Sequence, residues 1–465
     1  MNPPKKRRMS EAALRKKEAQ YCSHGDTVHY SPSPKFFQSC EGSFLYDRDD
    51  RPYLDLQMWY SAVNFGYRNK TIIEALKAQL DRLPQLACQY LHEEKVLVAE
   101  RLATECLRAF GLEGRVQFNV GGAQAIEDSM KLVRNATGKS LFMAFMGGYH
   151  GRTLGASEIT SSYRYRRRFG HFSNRAHFVP FPYCYRCPYG KKLETCDYYC
   201  VNQVERLFET EYNSFWDSRA EEPEFVAFYV EPVQATGGYI VPPPEYFTRL
   251  QKILDERKIL LVDDEIQMAF FRTGKFWAME HFGIKPRIVV FGKAMTNGLN
   301  PISGLWAEES LISPEKFPPG STHSTFSSNP LGTAAAWATL QWIDQQRYQE
   351  KVAESGAYFL QGLQELKKRH AVIGDVSGLG LALRIEVTQP DRFTPNKALT
   401  DRIFEAGLAG GIPTSRGPLG LVLDIGGYYK NVFTLAPSLD ITREEIDLGI
   451  ELLDYLFTQC TKHQA

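Results

Sequence analysis

The sequence predicts an α/β fold: a large doubly wound sheet domain followed by a smaller lobe. Three observations carry that expectation. Short apolar strands alternate with amphipathic helices across residues 91–343, and such alternation builds a sheet with helices on both faces. The 465 residues exceed what one hydrophobic core ordinarily supports, so a second lobe is expected. Two apolar runs also end in chemically active side chains. Asp263-Asp264 closes Leu260-Leu261-Val262, and Lys293 follows Ile288-Val289-Val290-Phe291. On doubly wound sheets, ligands bind beyond such strand ends.

The elements follow in order. Residues 1–41 read as an N-terminal tail and helical arm. Lys5-Lys6-Arg7-Arg8 suits a solvated terminus better than an import signal or a nucleic-acid patch. Ser10 is placed to cap the helical text SEAALRKKEAQ. Residues 42–90 open with GSFLYDRDDRPYLDL, whose alternation and turn residues predict a hairpin that begins the small lobe. Residues 91–343 form the large domain, with strands expected at 115–119, 140–145, 225–230, 259–262 and 288–291. Phe247, Leu250 and Leu254 share one face of a helix. Residues 344–465 form a C-terminal small domain. There Thr442 and Glu445 have capping-box spacing, and Ile446, Ile450, Leu453 and Phe457 form one apolar stripe.

The strand ends suggest a chemistry. A carboxylate and an amine held in one site are what pyridoxal 5'-phosphate needs. The amine forms a Schiff base with the aldehyde, and the carboxylate keeps a proton on the pyridine nitrogen so that the ring accepts electrons. Successive side chains on a strand face opposite ways, so only one of Asp263 and Asp264 can reach the ring. Gly121-Gly122-Ala123 follows a strand and opens a helix containing Ile126, Met130 and Val133. Backbone amides of such a glycine pair can approach an anion, and the helix N-terminus favours negative charge.

The text Asp264-Glu265-Ile266-Gln267-Met268-Ala269-Phe270-Phe271-Arg272-Thr273-Gly274, followed by Lys293, resembles the class III aminotransferases of the ornithine, acetylornithine and 4-aminobutyrate type. Their hallmark is an apolar strand, then D-E-V-Q-T-G-F-G-R-T-G, then a strand ending in the cofactor lysine. The resemblance runs from about residue 42 to the C-terminus. It implies a fold-type I transferase with a large doubly wound sheet domain and a smaller α+β lobe. It also implies a pyridoxal 5'-phosphate-dependent aminotransferase that shuttles an amino group from a small-molecule donor to an oxo acceptor by ping-pong half-reactions. By position in the family's motifs, Lys293 and Asp264 are catalytic. Gly122, Ala123, Tyr149, Gln267 and Thr325 join them in holding the cofactor. Tyr149, in Tyr149-His150-Gly151, takes the place of an aromatic residue that stacks on the ring. Thr325, in His323-Ser324-Thr325-Phe326-Ser327-Ser328-Asn329-Pro330, takes the place of a threonine that donates to the phosphate held by the partner subunit, which implies a homodimer with shared active sites. Glu231, in Val230-Glu231-Pro232-Val233-Gln234, is expected near the substrate.

Three departures stand out. The phosphate loop lacks the family's usual hydroxyl residues, because Gly121-Gly122-Ala123 stands on S-G-T. Thr434 occupies the position of an arginine that binds the substrate carboxylate in many members, and threonine cannot make that bidentate pair. Arg416 is the nearest upstream substitute. Cys184, Cys187, Cys196 and Cys200 have C-x-x-C and C-x-x-x-C spacing, which suits zinc, an iron–sulfur cluster across a dimer, or free thiols packing an insert; no metal ligand is assigned. A similar cysteine-rich insert is familiar from archaeal amino-acid racemases of this fold. A racemase or epimerase that uses the same lysine is therefore the alternative reading.

Composition excludes other classes. A net charge of +1 exerts no global pull toward nucleic acid or membrane. A non-catalytic nucleic-acid-binding role would rest only on Lys5–Arg8 and on Arg164, Arg166, Arg167 and Arg168 among aromatics. No apolar run approaches the roughly 20 residues that span a bilayer. No hydrophobic segment follows Arg8, so a secretory signal is not expected and residence is expected to be cytoplasmic.

Overall fold

The structure, a computed structural model, describes residues 9–23, 25, 34–166, 169, 176–213 and 215–462. At its centre lies a seven-stranded sheet in the order Gly114–Asn119, Ser303–Glu308, Ile288–Phe291, Leu260–Asp264, Phe225–Val230, Leu141–Phe145, Ala176–Val179. All run parallel except Ser303–Glu308, which is antiparallel to both neighbours. Side chains alternate across the sheet. Ile288 and Val290 pack with Ile126 and Val133 of the helix Gly122–Thr137 on one face. Val289 and Phe291 pack with Phe247, Leu250 and Leu254 of the helix Tyr246–Glu256 on the other. Covering both faces explains why these strands are apolar throughout.

The Leu260–Asp264 strand continues through both aspartates, beyond the expected end at Val262. Asp is a poor strand former, but here Val230 pairs with Asp263 and Val290 with Asp264, and tertiary context overrides propensity. Two strands had no clear sequence signal. Ala176–Val179 is only four residues long, and Ser303–Glu308 is rich in small residues.

The N-terminal hairpin, Phe37–Glu41 and Phe44–Asp47, continues into Pro52–Asp55, which pairs in parallel with Gly420–Val422. The hairpin thus joins the C-terminal part of the chain, and its first strand begins inside the stretch read as the arm. A second four-stranded sheet has the order Ile373–Leu379, Ala382–Val387, Val432–Leu435, Asp424–Gly426, antiparallel throughout. Ser10 caps the helix Glu11–Tyr21, its hydroxyl accepting from Ala13 N at 3.3 Å. Thr442 and Glu445 form a capping box at the start of Arg443–Thr461. Lys5–Arg8, Arg167 and Arg168 lie outside the described residues. Among the described residues no helix is long and apolar enough to cross a membrane.

One buried cation ties these parts together. Arg272 follows Phe270 and Phe271, whose φ values of 57° and 66° turn the chain sharply. Its guanidinium donates to Ser61 Oγ at 2.9 Å, Asn64 Oδ1 at 2.5 Å, Pro437 O at 2.6 Å and Leu381 O at 3.1 Å. All four acceptors are neutral, and burial lowers the guanidinium pKa to about 10. Three separated segments are therefore held by one side chain. Replacing Arg272 with Met leaves these acceptors unpaired and should cost about 3 kcal/mol or more. The urea midpoint should fall accordingly, and an unchanged midpoint would show that the tie carries no stability.

Candidate active site

A cavity of about 520 Å³ opens at the C-terminal ends of the central strands. Asp264 has the strand parity of Val262 and faces the side where the helix Gly122–Thr137 packs. Asp263 and Glu265 take the opposite parity. Asp264, Lys293, Gln267, Tyr149, Glu231 and Gly122 all line this cavity, as does Ala123. Seven sequence-derived positions thus come together. Asp264 Oδ2 accepts from His150 Nδ1 at 2.7 Å, and its Oδ1 accepts from Ile266 N at 3.2 Å. Lys293 donates to Gln267 Oε1 at 2.5 Å, and Gln267 Nε2 donates to the Tyr239 hydroxyl at 2.8 Å. Glu231 accepts from Tyr149 N at 2.8 Å and from Ala235 N at 2.9 Å. Lys293 itself has φ 40°, a strained conformation of the kind found at functional sites.

The remaining two positions lie elsewhere. Thr325 lines a separate cavity of about 990 Å³ with Phe326, Asn300 and Val120. Arg416 is on an exposed loop whose neighbour Ser415 bonds Glu451 on the last helix, and it faces Glu444 rather than the cavity. Within the protomer it does not reach Lys293. The position read as a lost arginine, Thr434, donates to Asp424 Oδ2 at 2.6 Å. Sequence reasoning missed His150, Arg152, Thr153, Tyr239 and Asp424. His150 and Arg152 flank the aromatic signal at Tyr149 and could have been found there; Tyr239 and Asp424 carry no local signal.

The four clustered cysteines line one small pocket of about 20 Å³ and are free thiols. Burial, with the nearby thiols adding to it, pushes Cys184 and Cys200 up to about 11. Among the described residues no three ligands are arranged to hold a metal ion.

The aminotransferase class-III family model matches residues 27–457. The chain belongs to that family. It is 32% identical over 418 residues to a leucine/methionine racemase of Thermococcus litoralis, covering 88% of this chain and 87% of that one. It is 31% identical over 427 residues to an ornithine aminotransferase of Bordetella pertussis, covering 90% of each. Among solved structures it is similar to a PLP-bound amine transaminase from an uncultivated Pseudomonas species. That match has a TM-score of 0.84 and 26% identity, and it covers 95% of this chain and 99% of that one.

Class III aminotransferases depend on pyridoxal 5'-phosphate, and the cavity fits it. The N–H groups of Gly122 and Ala123 lie in the first helical turn, where no intrahelical acceptor exists. A side chain at Gly122 would come within 2.9 Å of Ile266 Cδ1, so the glycine leaves the backbone open to the cavity without moving Ile266. Thr153 lines the same cavity and brings a hydroxyl-bearing residue to it. The electrostatics agree. Burial lowers the Lys293 pKa to about 8 against the pull of Asp264, Glu231 and Asp424. Burial raises Glu231 to about 7. Burial alone would lower His150, but its bond to Asp264 more than offsets this and raises its pKa.

Two pH effects are expected. With the cofactor removed, trinitrobenzenesulfonate should label Lys293 with an inflection close to pH 8; an inflection at the ordinary lysine value would mean that burial does not act on it. On the opposite face, burial raises both Asp263 and Glu265; Glu265 and Asp264 push Asp263 further up, and Glu280 and Asp264 help bring Glu265 to about 8. The unfolded chain gives up these protons near the ordinary carboxylate pKa, about 4, while the folded chain keeps them. Stability should therefore fall as pH rises from there through about 8. Asp263→Asn should flatten the decline of the urea midpoint over this window, and an equally steep decline would clear the pair of that role.

Proposed function

We propose that this enzyme transfers an amino group from an amine or amino acid to an oxo acceptor, with Lys293 as the residue that carries the cofactor covalently. The observation that bears most weight is the meeting of Lys293 and Asp264 in one cavity, with the lysine pKa brought down to about 8. When bound, pyridoxal 5'-phosphate supplies an aldehyde for the substrate amine and a ring that accepts electrons from Cα.

The chain's own residues have distinct tasks in this reading. Gly122, Ala123 and Thr153 hold the phosphate. Tyr149 walls the ring. Asp264, oriented by His150, holds a proton at the ring nitrogen, and Gln267 holds the ring's phenolic oxygen. Lys293 Nζ, partly neutral near pH 8, takes the proton from the substrate Cα. Glu231 is fixed by two backbone donors and stands at the substrate side.

We further read the assembly as a homodimer. Tyr90 and Phe326 line the cavity that holds Thr325 and are 58% and 67% exposed, and large apolar side chains clustered at one surface mark contact sites. Thr325 would then complete the partner's phosphate site. All nine cysteines are unpaired, which supports a reducing, cytoplasmic setting.

Racemisation is the second reading, favoured by identities of 32% and 30% to a leucine/methionine racemase and an alanine/serine racemase. It needs the same Lys293 proton transfer, with the proton returned to the opposite face of Cα. The enzyme should be mixed with a panel of amines and amino acids without any oxo acceptor, and the cofactor's visible absorption and the optical purity of the amino acid followed together. A stoichiometric oxo product with a changed cofactor spectrum is the expected result. Loss of optical purity with an unchanged spectrum would replace transfer by racemisation. Lys293→Ala should lower either activity at least about 10²-fold.

A further inference from the structure

The wall around Lys293 contains an acid that the reading above does not use. A side cavity of about 190 Å³ shares Lys293, Gln267, Tyr149 and Arg152 with the main one, and Asp424 lines it. Asp424 sits on the edge strand Asp424–Gly426 of the C-terminal sheet, paired in register with Thr434. Its Oδ2 takes the Thr434 hydroxyl at 2.6 Å. Its Oδ1 is buried and has no donor in hydrogen-bonding geometry among the described residues, although the Gln57 amide and the Ile425 N–H approach the carboxylate. The other two cavity carboxylates differ, because Asp264 and Glu231 have a donor on each oxygen. Burial raises the Asp424 pKa even though the Thr434 hydroxyl, the Lys430 charge, the Ile425 N–H and the Gln57 amide all pull it down. An unpaired buried carboxylate oxygen is unfavourable, and a donor on the substrate would relieve it.

We propose that Asp424 is a specificity-determining residue that recognises a second ammonium group on the amino donor, so that the preferred donors are diamines or basic amino acids. This rests on the reading of Lys293 as the centre of amino transfer. The donor's reacting amine goes to Lys293 and its distal ammonium to Asp424. Arg152, whose guanidinium lies 4.3 Å over the Tyr165 ring and 5.8 Å over the Tyr149 ring, lines the same cavity. Arg152 and Lys430, which lines this cavity too, are the cations that would favour a carboxylate-ended donor instead. The two outcomes are therefore opposed in charge and can be separated.

The test uses cofactor-loaded Lys293→Ala protein, which binds amines without turnover. Calorimetry with 1,4-diaminobutane, its uncharged-tail isostere n-pentylamine, and 4-aminobutyrate gives three dissociation constants. 1,4-Diaminobutane should bind at least about tenfold tighter than n-pentylamine. Adding Asp424→Asn should reduce that ratio to about threefold or less. No preference, a preference that survives Asp424→Asn, or tightest binding of 4-aminobutyrate would each overturn the assignment. The first and third readouts need no second substitution, so a poorly folded Asn variant cannot shield the proposal. Turnover by wild-type enzyme is read separately. If no donor yields an oxo product, the amino-transfer reading fails while the binding ratio still judges Asp424. If Asp424 served only to tune Lys293, the ratio would be unmoved by Asp424→Asn in protein that lacks the lysine.

Discussion

Asp264 and Lys293 can share a cavity only if the strands that deliver them end side by side. Leu260–Asp264 and Ile288–Phe291 are adjacent and parallel, with Asp264 in register with Val290. The register depends on burial of both sheet faces. A slip by one residue would turn Ile288 and Val290 away from the helix Gly122–Thr137 and would swap Asp264 for Asp263 at the cavity. The same apolar contacts that stabilise the sheet therefore decide which of two neighbouring carboxylates meets the lysine. Packing and chemistry are set by one parity.

That parity also sorts the charges. Three acidic side chains follow one another, Asp263-Asp264-Glu265, and burying all three as anions would be prohibitive. The outer two face away from the cavity, where burial pushes both pKa values upward and Glu265 Oε1 accepts from Met279 N at 2.8 Å. The middle one faces the cavity and is matched by His150. Glu231, raised to about 7, and Lys293, lowered to about 8, are brought toward each other by the same cause: burial disfavours the charged form of each. The site thus has an acid and an amine that change protonation near neutral pH, the condition under which proton transfer is most effective.

The cysteine-bearing insert contributes at a distance. Tyr183 and Arg186, on either side of Cys184, bond Glu386 in the C-terminal sheet, and Arg384 bonds both Tyr183 and Glu386. The Tyr185 hydroxyl donates to Arg392 O. These contacts brace Ala382–Val387, which pairs with the strand carrying Thr434. That strand in turn positions Asp424. The insert is accordingly linked to the edge of the cavity through two strands, with its thiols, exposed or half-buried, lining one small pocket beside tyrosines and prolines.

What could be read from the sequence follows from the range of each interaction. Strand cores, the capped helices at Ser10 and Thr442, and the glycine opening at Gly122 depend on neighbours a few residues away, and each was legible. The pairing of Asp264 with Lys293 was legible because both ended strands, and strand ends converge in this architecture. Ser303–Glu308 was not, because its place between Ile288–Phe291 and Gly114–Asn119 comes from filling a gap in the sheet rather than from its own pattern. Asp424 was the least accessible. Nothing around it in the chain marks a site, and Lys293 lies more than a hundred residues earlier. It reaches the cavity only because the C-terminal sheet folds against the large domain. The resemblance sets a carboxylate-binding arginine at the position of Thr434, but the sequence did not show what Thr434 contacts. Thr434 is one half of a registered pair whose other half is a carboxylate. If Thr434 stands where the resemblance sets an arginine, the position supplies a hydroxyl that holds an anion.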